Sequence, residues 1–117
     1  MRQALFVGSL LVGTILVACD PGVGLKVENR SASALCKYES ERSVGDSGRC
    51  YKIEPGDSPT FSIICTREME KTVVLTVGQG GPRFYARTAT CGKWKDSGAT
   101  VTVRQRDGEF IVEDGFD

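Results

Sequence analysis

The residues with reactive or ligating side chains are few, and their spacing narrows what they can do. There are five cysteines, Cys19, Cys36, Cys50, Cys65 and Cys91, and no histidine. Without an imidazole the chain cannot build a Ser-His-Asp or Cys-His nucleophile, nor a His-ligated zinc or copper site. No Cys-x-x-Cys pair occurs; beyond Cys19 successive cysteines stand 14, 15 and 26 residues apart. Zinc knuckles and thioredoxin-like redox sites need that close pair. The last four cysteines therefore read as structural, with no metal and no cofactor implied. Three pairings are open to them. Cys36–Cys50 is favoured because it joins neighbouring strands across one polar loop, which leaves Cys65–Cys91.

Carboxylates such as Glu39, Glu54, Glu68, Asp96 and Glu109 are scattered over turns and strand faces. Two-carboxylate catalysis needs both groups in one cleft, and a chain this short has little room for one. A non-catalytic protein is expected. The C-terminal stretch Glu113–Asp117 lacks the acidic spacing of a calcium loop and reads as a frayed tail. The best candidate for interaction is a basic and aromatic set. Arg83, Tyr85 and Arg87 share one face of an alternating run, with Trp94 nearby in sequence. Such side chains suit a protein, an anion or a sugar. Charge is balanced, 15 Lys+Arg against 15 Asp+Glu, which argues against nucleic acid.

The elements that must position these residues are strands. Apolar residues recur at period two in Leu25–Glu28, Ala34–Glu39, Arg49–Ile53, Thr60–Cys65, Thr72–Val77, Arg83–Thr90, Ala99–Gln105 and Glu109–Val112. β-branched residues dominate several of these runs. Glu54–Asp57 and Gly78–Pro82 read as turns, Ser40–Gly48 as a longer polar loop, and Asp107-Gly108 as a tight hairpin. Helix is expected for at most one turn, around Met69. The pattern predicts an all-β domain, a small antiparallel β-sandwich or Greek-key barrel of seven to eight strands with two disulfides.

The first residues differ in kind. Arg2 precedes an uncharged apolar run, Ala4–Val17, that Asp20-Pro21-Gly22 interrupts. Such a run is too short for a membrane span and has the layout of a secretory signal, expected as a helix in the precursor. It ends in Leu16-Val17-Ala18-Cys19, which resembles the lipobox of bacterial lipoproteins. The resemblance implies recognition of Leu16, Val17 and Ala18, cleavage before Cys19, and a diacylglyceryl group on the Cys19 thiol. Cysteine parity agrees, since four cysteines remain for two disulfides. The expected organisation is signal peptide 1–18, lipidated tether 19–24, β domain 25–112 and acidic tail 113–117. No polybasic stretch follows the signal, so membrane contact is expected through the lipid alone. Asp20 directly after the cysteine resembles the signal that keeps enterobacterial lipoproteins on the cytoplasmic membrane.

Val27-Glu28-Asn29-Arg30-Ser31, and later Ile53-Glu54-Pro55-Gly56-Asp57-Ser58-Pro59-Thr60-Phe61, resemble small immunoglobulin-like domains of exported bacterial lipoproteins. That likeness implies a sandwich and says little about task. Ser47-Gly48-Arg49-Cys50-Tyr51 is similar in letters to a motif of lipoprotein inhibitors of lysozyme, although Trp94 stands far downstream of it. The functional expectation is a membrane-anchored extracytoplasmic binding module for a protein or glycan partner. The alternatives are an inhibitor of an exported enzyme such as lysozyme, and a purely structural envelope protein.

Overall fold

Alternation of buried and exposed side chains builds each layer of the protein. In the computed structural model, which describes residues 22–40 and 49–116, β1 (Val23–Asn29) turns Val23, Leu25, Val27 and Asn29 inward. The expected signal helix, lipid site and most of the Ser40–Gly48 loop lie outside the described residues. β1 pairs antiparallel with β4 (Thr60–Ile63) and parallel with β7 (Thr100–Arg106). β7 continues into β8 (Glu109–Glu113), which completes a sheet in the order β4-β1-β7-β8. A second sheet has the order β3-β2-β5-β6, from Tyr51–Ile53, Leu35–Ser40, Glu70–Val77 and Arg83–Thr90.

The result is an eight-stranded β-sandwich with two open sheets, not a barrel. The β1–β7 pair departs from the purely antiparallel arrangement expected. Parallel neighbours need a long connection, and here nearly the whole domain lies between them in sequence. Leu25, Val27, Leu35, Ile53, Val73, Leu75, Val101 and Val103 are fully buried between the layers. Both favoured disulfides are present, Cys36–Cys50 and Cys65–Cys91. The second joins the residues just past β4 to those just past β6, and so ties one layer to the other.

Turn chemistry follows the residues. Asp107 and Gly108 both have positive φ, 53° and 83°, as the tight hairpin requires. A β-carbon on Gly81 would stand 1.7 Å from the Val77 carbonyl oxygen, so no other residue fits that corner. At the end of β1, Asn29 is buried and fully bonded. Its Nδ2 donates to the carbonyls of Ser33 and Ile53, at 2.8 and 3.0 Å, and its Oδ1 accepts from Ser31.

Four details depart from the sequence reading. β1 starts at Val23, so Val23 and Gly24 belong to the strand and not to the tether. β4 ends at Ile63, which leaves Ile64 exposed. The residues near Met69 form only a turn, whereas a helix, α1 (Cys91–Asp96), forms where none was expected. The Thr90 side chain caps it by accepting from the Lys93 N–H, which satisfies one orphan donor. Six residues are too few to show a helical period. As far as Phe116 the tail is not frayed, because Asp114 is buried and Phe116 packs on the core. No helix among the described residues is long and apolar enough to cross a membrane.

Candidate functional site

The four candidate interaction residues are separated by a bulge and by packing. Leu75 pairs with Tyr85, but Thr76 pairs with Arg83. Phe84 is therefore an extra residue in β6, and the alternation shifts there. Phe84 and Tyr85 both pack toward the core, with Phe84 stacked on Phe110 at 4.4 Å between ring centres. Arg83 stays on the outer face of the second sheet. Trp94 is buried at the end of the sandwich, where its Nε1 donates to the Lys71 carbonyl at 3.2 Å.

Tyr85 and Arg87 converge on Asp114, just past β8. The Tyr85 hydroxyl donates at 2.8 Å and Arg87 Nε at 3.0 Å, both to Asp114 Oδ2. Oδ1 accepts the Phe116 N–H at 3.0 Å. The Arg87 guanidinium also lies over the Phe116 ring at 4.4 Å. Burial pushes the Asp114 carboxyl up, but the bonds from Tyr85, Phe116 and Arg87 together hold it below its usual value. Burial and the adjacent carboxylate both push the Tyr85 hydroxyl up. With every group satisfied, this cluster reads as a structural clasp between the two sheets.

Arg83 has other neighbours. With Tyr38, Val74, Thr76, Gly80 and Gly81 it lines an open cleft of about 200 Å³ on the outer face of the second sheet. Tyr38 stands opposite Val74 in the β2–β5 pairing, which puts its ring on the same face. Gly80 and Gly81, in the glycine corner between β5 and β6, form the rim. No carboxylate lines the cleft, and Arg83 has no ion-pair partner among the described residues. A cation, an aromatic face and a glycine-rich backbone can receive an anionic or hydroxyl-rich group. Sequence reasoning found Arg83 and missed Tyr38. The usable signal was the alternation of Tyr38 with Cys36, but the charged neighbours Lys37 and Glu39 suggested the opposite facing.

Those neighbours point inward. Lys37 is only 5% exposed, lies over the Phe61 ring at 3.6 Å and pairs with Glu39. Desolvation pulls the Lys37 ammonium below its usual value, an effect only partly offset by Glu39. Of the inhibitor-like motif, Ser47 and Gly48 lie outside the described residues. Cys50 is in its disulfide, and Tyr51 is exposed with its ring edge-on to Phe61. Among the described residues no three His, Cys, Asp or Glu side chains converge as a metal site would need.

No family model matches this chain, and no curated protein or solved structure matches it either.

Proposed function

We propose that this protein is an extracytoplasmic lipoprotein, anchored through Cys19 to the outer leaflet of the cytoplasmic membrane, that serves as a non-catalytic binding module. The observation that carries the reading is the pairing of cysteines. The disulfides Cys36–Cys50 and Cys65–Cys91 account for four of the five. The fifth is Cys19, directly after Leu16-Val17-Ala18 and an apolar run. Two disulfides in a domain this small also suit an oxidising compartment.

The cleft at Arg83 and Tyr38 is the surface best suited to a partner, a protein or glycan that presents anionic or hydroxyl groups. Its lining favours recognition over turnover, because it holds no carboxylate or thiol that could serve as base to the Tyr38 or Thr76 hydroxyl.

Detergent-phase partitioning of the processed protein tests the anchor. Wild type is expected in the detergent phase and Cys19→Ser in the aqueous phase or as uncleaved precursor. A Cys19→Ser protein that is still processed at the same site and still enters detergent would overturn the reading. Fractionation of Asp20→Ser in a two-membrane host then tests the choice of membrane, with movement to the outer membrane expected.

A further inference from the structure

A lipid on Cys19 would hold one end of the sandwich close to the bilayer. Cys19 and Gly22 are three peptide units apart in sequence, so their α-carbons are at most about 11 Å apart however the chain runs. Gly22 is pressed against the end of β4. A β-carbon on it would stand 3.3 Å from the carbonyl oxygen of Ile63. That carbonyl belongs to the peptide that links Ile63 to Ile64.

Ile64 is 80% exposed, more than any other large apolar side chain among the described residues. Met69, in the same β4–β5 connection, is also exposed. This connection is fixed and not loose. Cys65 is bonded to Cys91, the Met69 carbonyl accepts the Cys91 N–H at 2.9 Å, and the Arg67 carbonyl accepts the Gly92 N–H at 2.9 Å. Arg67 and Lys95 line a shallow cleft with Gly22 itself. Arg67 reaches Asp96 at 3.5 Å, but both side chains stay mostly exposed. Arg67 and Lys95 flank this apolar tip, with the exposed carboxylates Glu68, Glu70 and Asp96 also nearby in sequence. An apolar tip with long cationic side chains beside it, held close to a lipid-bearing residue, has the layout of an interfacial contact.

From this we infer that the β4–β5 connection is a membrane-resting pole, with Ile64 in the headgroup–acyl boundary and Arg67 and Lys95 at the phosphates. The inference rests on lipidation at Cys19. It adds a protein contact to the lipid contact that the sequence implied alone. It also orients the domain. β7 runs parallel to β1, so its far end and the β7–β8 hairpin point away from the bilayer. The Gly78–Pro82 corner beside Arg83 lies at that same distal end, since Gly78 N–H donates to the Ala34 carbonyl before β2. The binding cleft, on the side of the second sheet, therefore lies toward the end away from the membrane.

Tryptophan quenching by brominated lipid tests the orientation on the full lipidated protein. The vesicles are phosphatidylethanolamine and phosphatidylglycerol with brominated acyl chains. Wild type, whose one tryptophan is the buried Trp94, sets the baseline. Ile64→Trp is expected to be quenched at least about twofold more strongly than that baseline, as a side chain ~5–10 Å into the interface would be. Glu109→Trp, on the distal hairpin, is expected at baseline. Lipidated protein in which Ile64→Trp stays at baseline, or in which both variants are quenched alike, overturns the orientation and leaves the anchor standing. Mass spectrometry that finds no lipid on Cys19 overturns the anchor reading, and this inference with it.

Discussion

The two flanks of the sandwich solve one problem in different ways. On the β2–β4 flank, Lys37 lies between the layers over Phe61 and pairs with Glu39. On the β6–β8 flank, Arg87 lies over Phe116 and pairs with Asp114. Each flank thus holds a cation, an aromatic ring and a carboxylate. Lys37 is almost wholly buried with one carboxylate for its charge, whereas the Arg87 side chain is 39% exposed. Asp114 receives three bonds, from Tyr85, Arg87 and the Phe116 backbone. The difference teaches that a charge between sheets is tolerated when hydrogen bonds saturate it or water reaches it. Lys37 has less of both, and its lowered pKa is the sign of that.

β2 explains why a charge is kept there. β3 pairs with β2 only from Leu35 to Lys37, so beyond Lys37 one side of β2 has no strand neighbour among the described residues. Inward-pointing charges on such an edge discourage pairing with another chain.

Substitutions that leave one partner behind should separate the flanks most. Glu39→Ala leaves the Lys37 ammonium buried and unpaired and should cost about 3 kcal/mol. Asp114→Ala strands both Tyr85 and Arg87, but Arg87 can turn to water, so about 2 kcal/mol is expected. Tyr85→Phe removes one bond to a charged acceptor and should cost about 1.5 kcal/mol. Urea unfolding at neutral pH measures all three, and a larger loss for Asp114→Ala than for Glu39→Ala would break the comparison. The smallest change expected is a gain. Lys37→Met combined with Glu39→Leu removes the pair and its desolvation together, and should stabilise by about 1 kcal/mol.

The two flanks should respond to pH in the same direction, each gaining stability as pH rises, but in windows far apart. Asp114 has a folded pKa below its unfolded value. Its contribution is therefore complete above the unfolded value and is lost as pH falls through the folded one. Lys37 has a folded pKa below 10.5. Between those two values the unfolded chain binds more protons, so stability from this group rises as pH climbs toward 10.5. Unfolding curves for wild type and Lys37→Met should thus converge at alkaline pH, while Asp114→Asn should flatten the acid limb.

Most of the strand layout was legible in the residues because alternation reports which face is buried. The eight runs, the Asp107-Gly108 hairpin and both disulfides followed from pattern, turn chemistry and spacing. Three features were hidden for physical reasons. The bulge at Phe84 shifts a register without any glycine or proline to mark it. Helix α1 is shorter than the window in which its period could show. Lys37 and Glu39 defeat the rule that charge faces water, because their partners come from β2 itself and from β4. The candidate site suffered accordingly. Arg83 is on the exposed face as expected, but the bulge interrupts the alternation that groups Tyr85 and Arg87 with it, Trp94 is near it only in sequence, and the alternation alone does not single out Tyr38.

The proposed lipid on Cys19 is read most simply from the intact mass and the N-terminal peptide of protein purified from membranes. The expected protein begins at Cys19 and carries a diacylglyceryl mass on that residue, with Cys36–Cys50 and Cys65–Cys91 oxidised. A chain that begins elsewhere, or a Cys19 recovered without lipid, would contradict it.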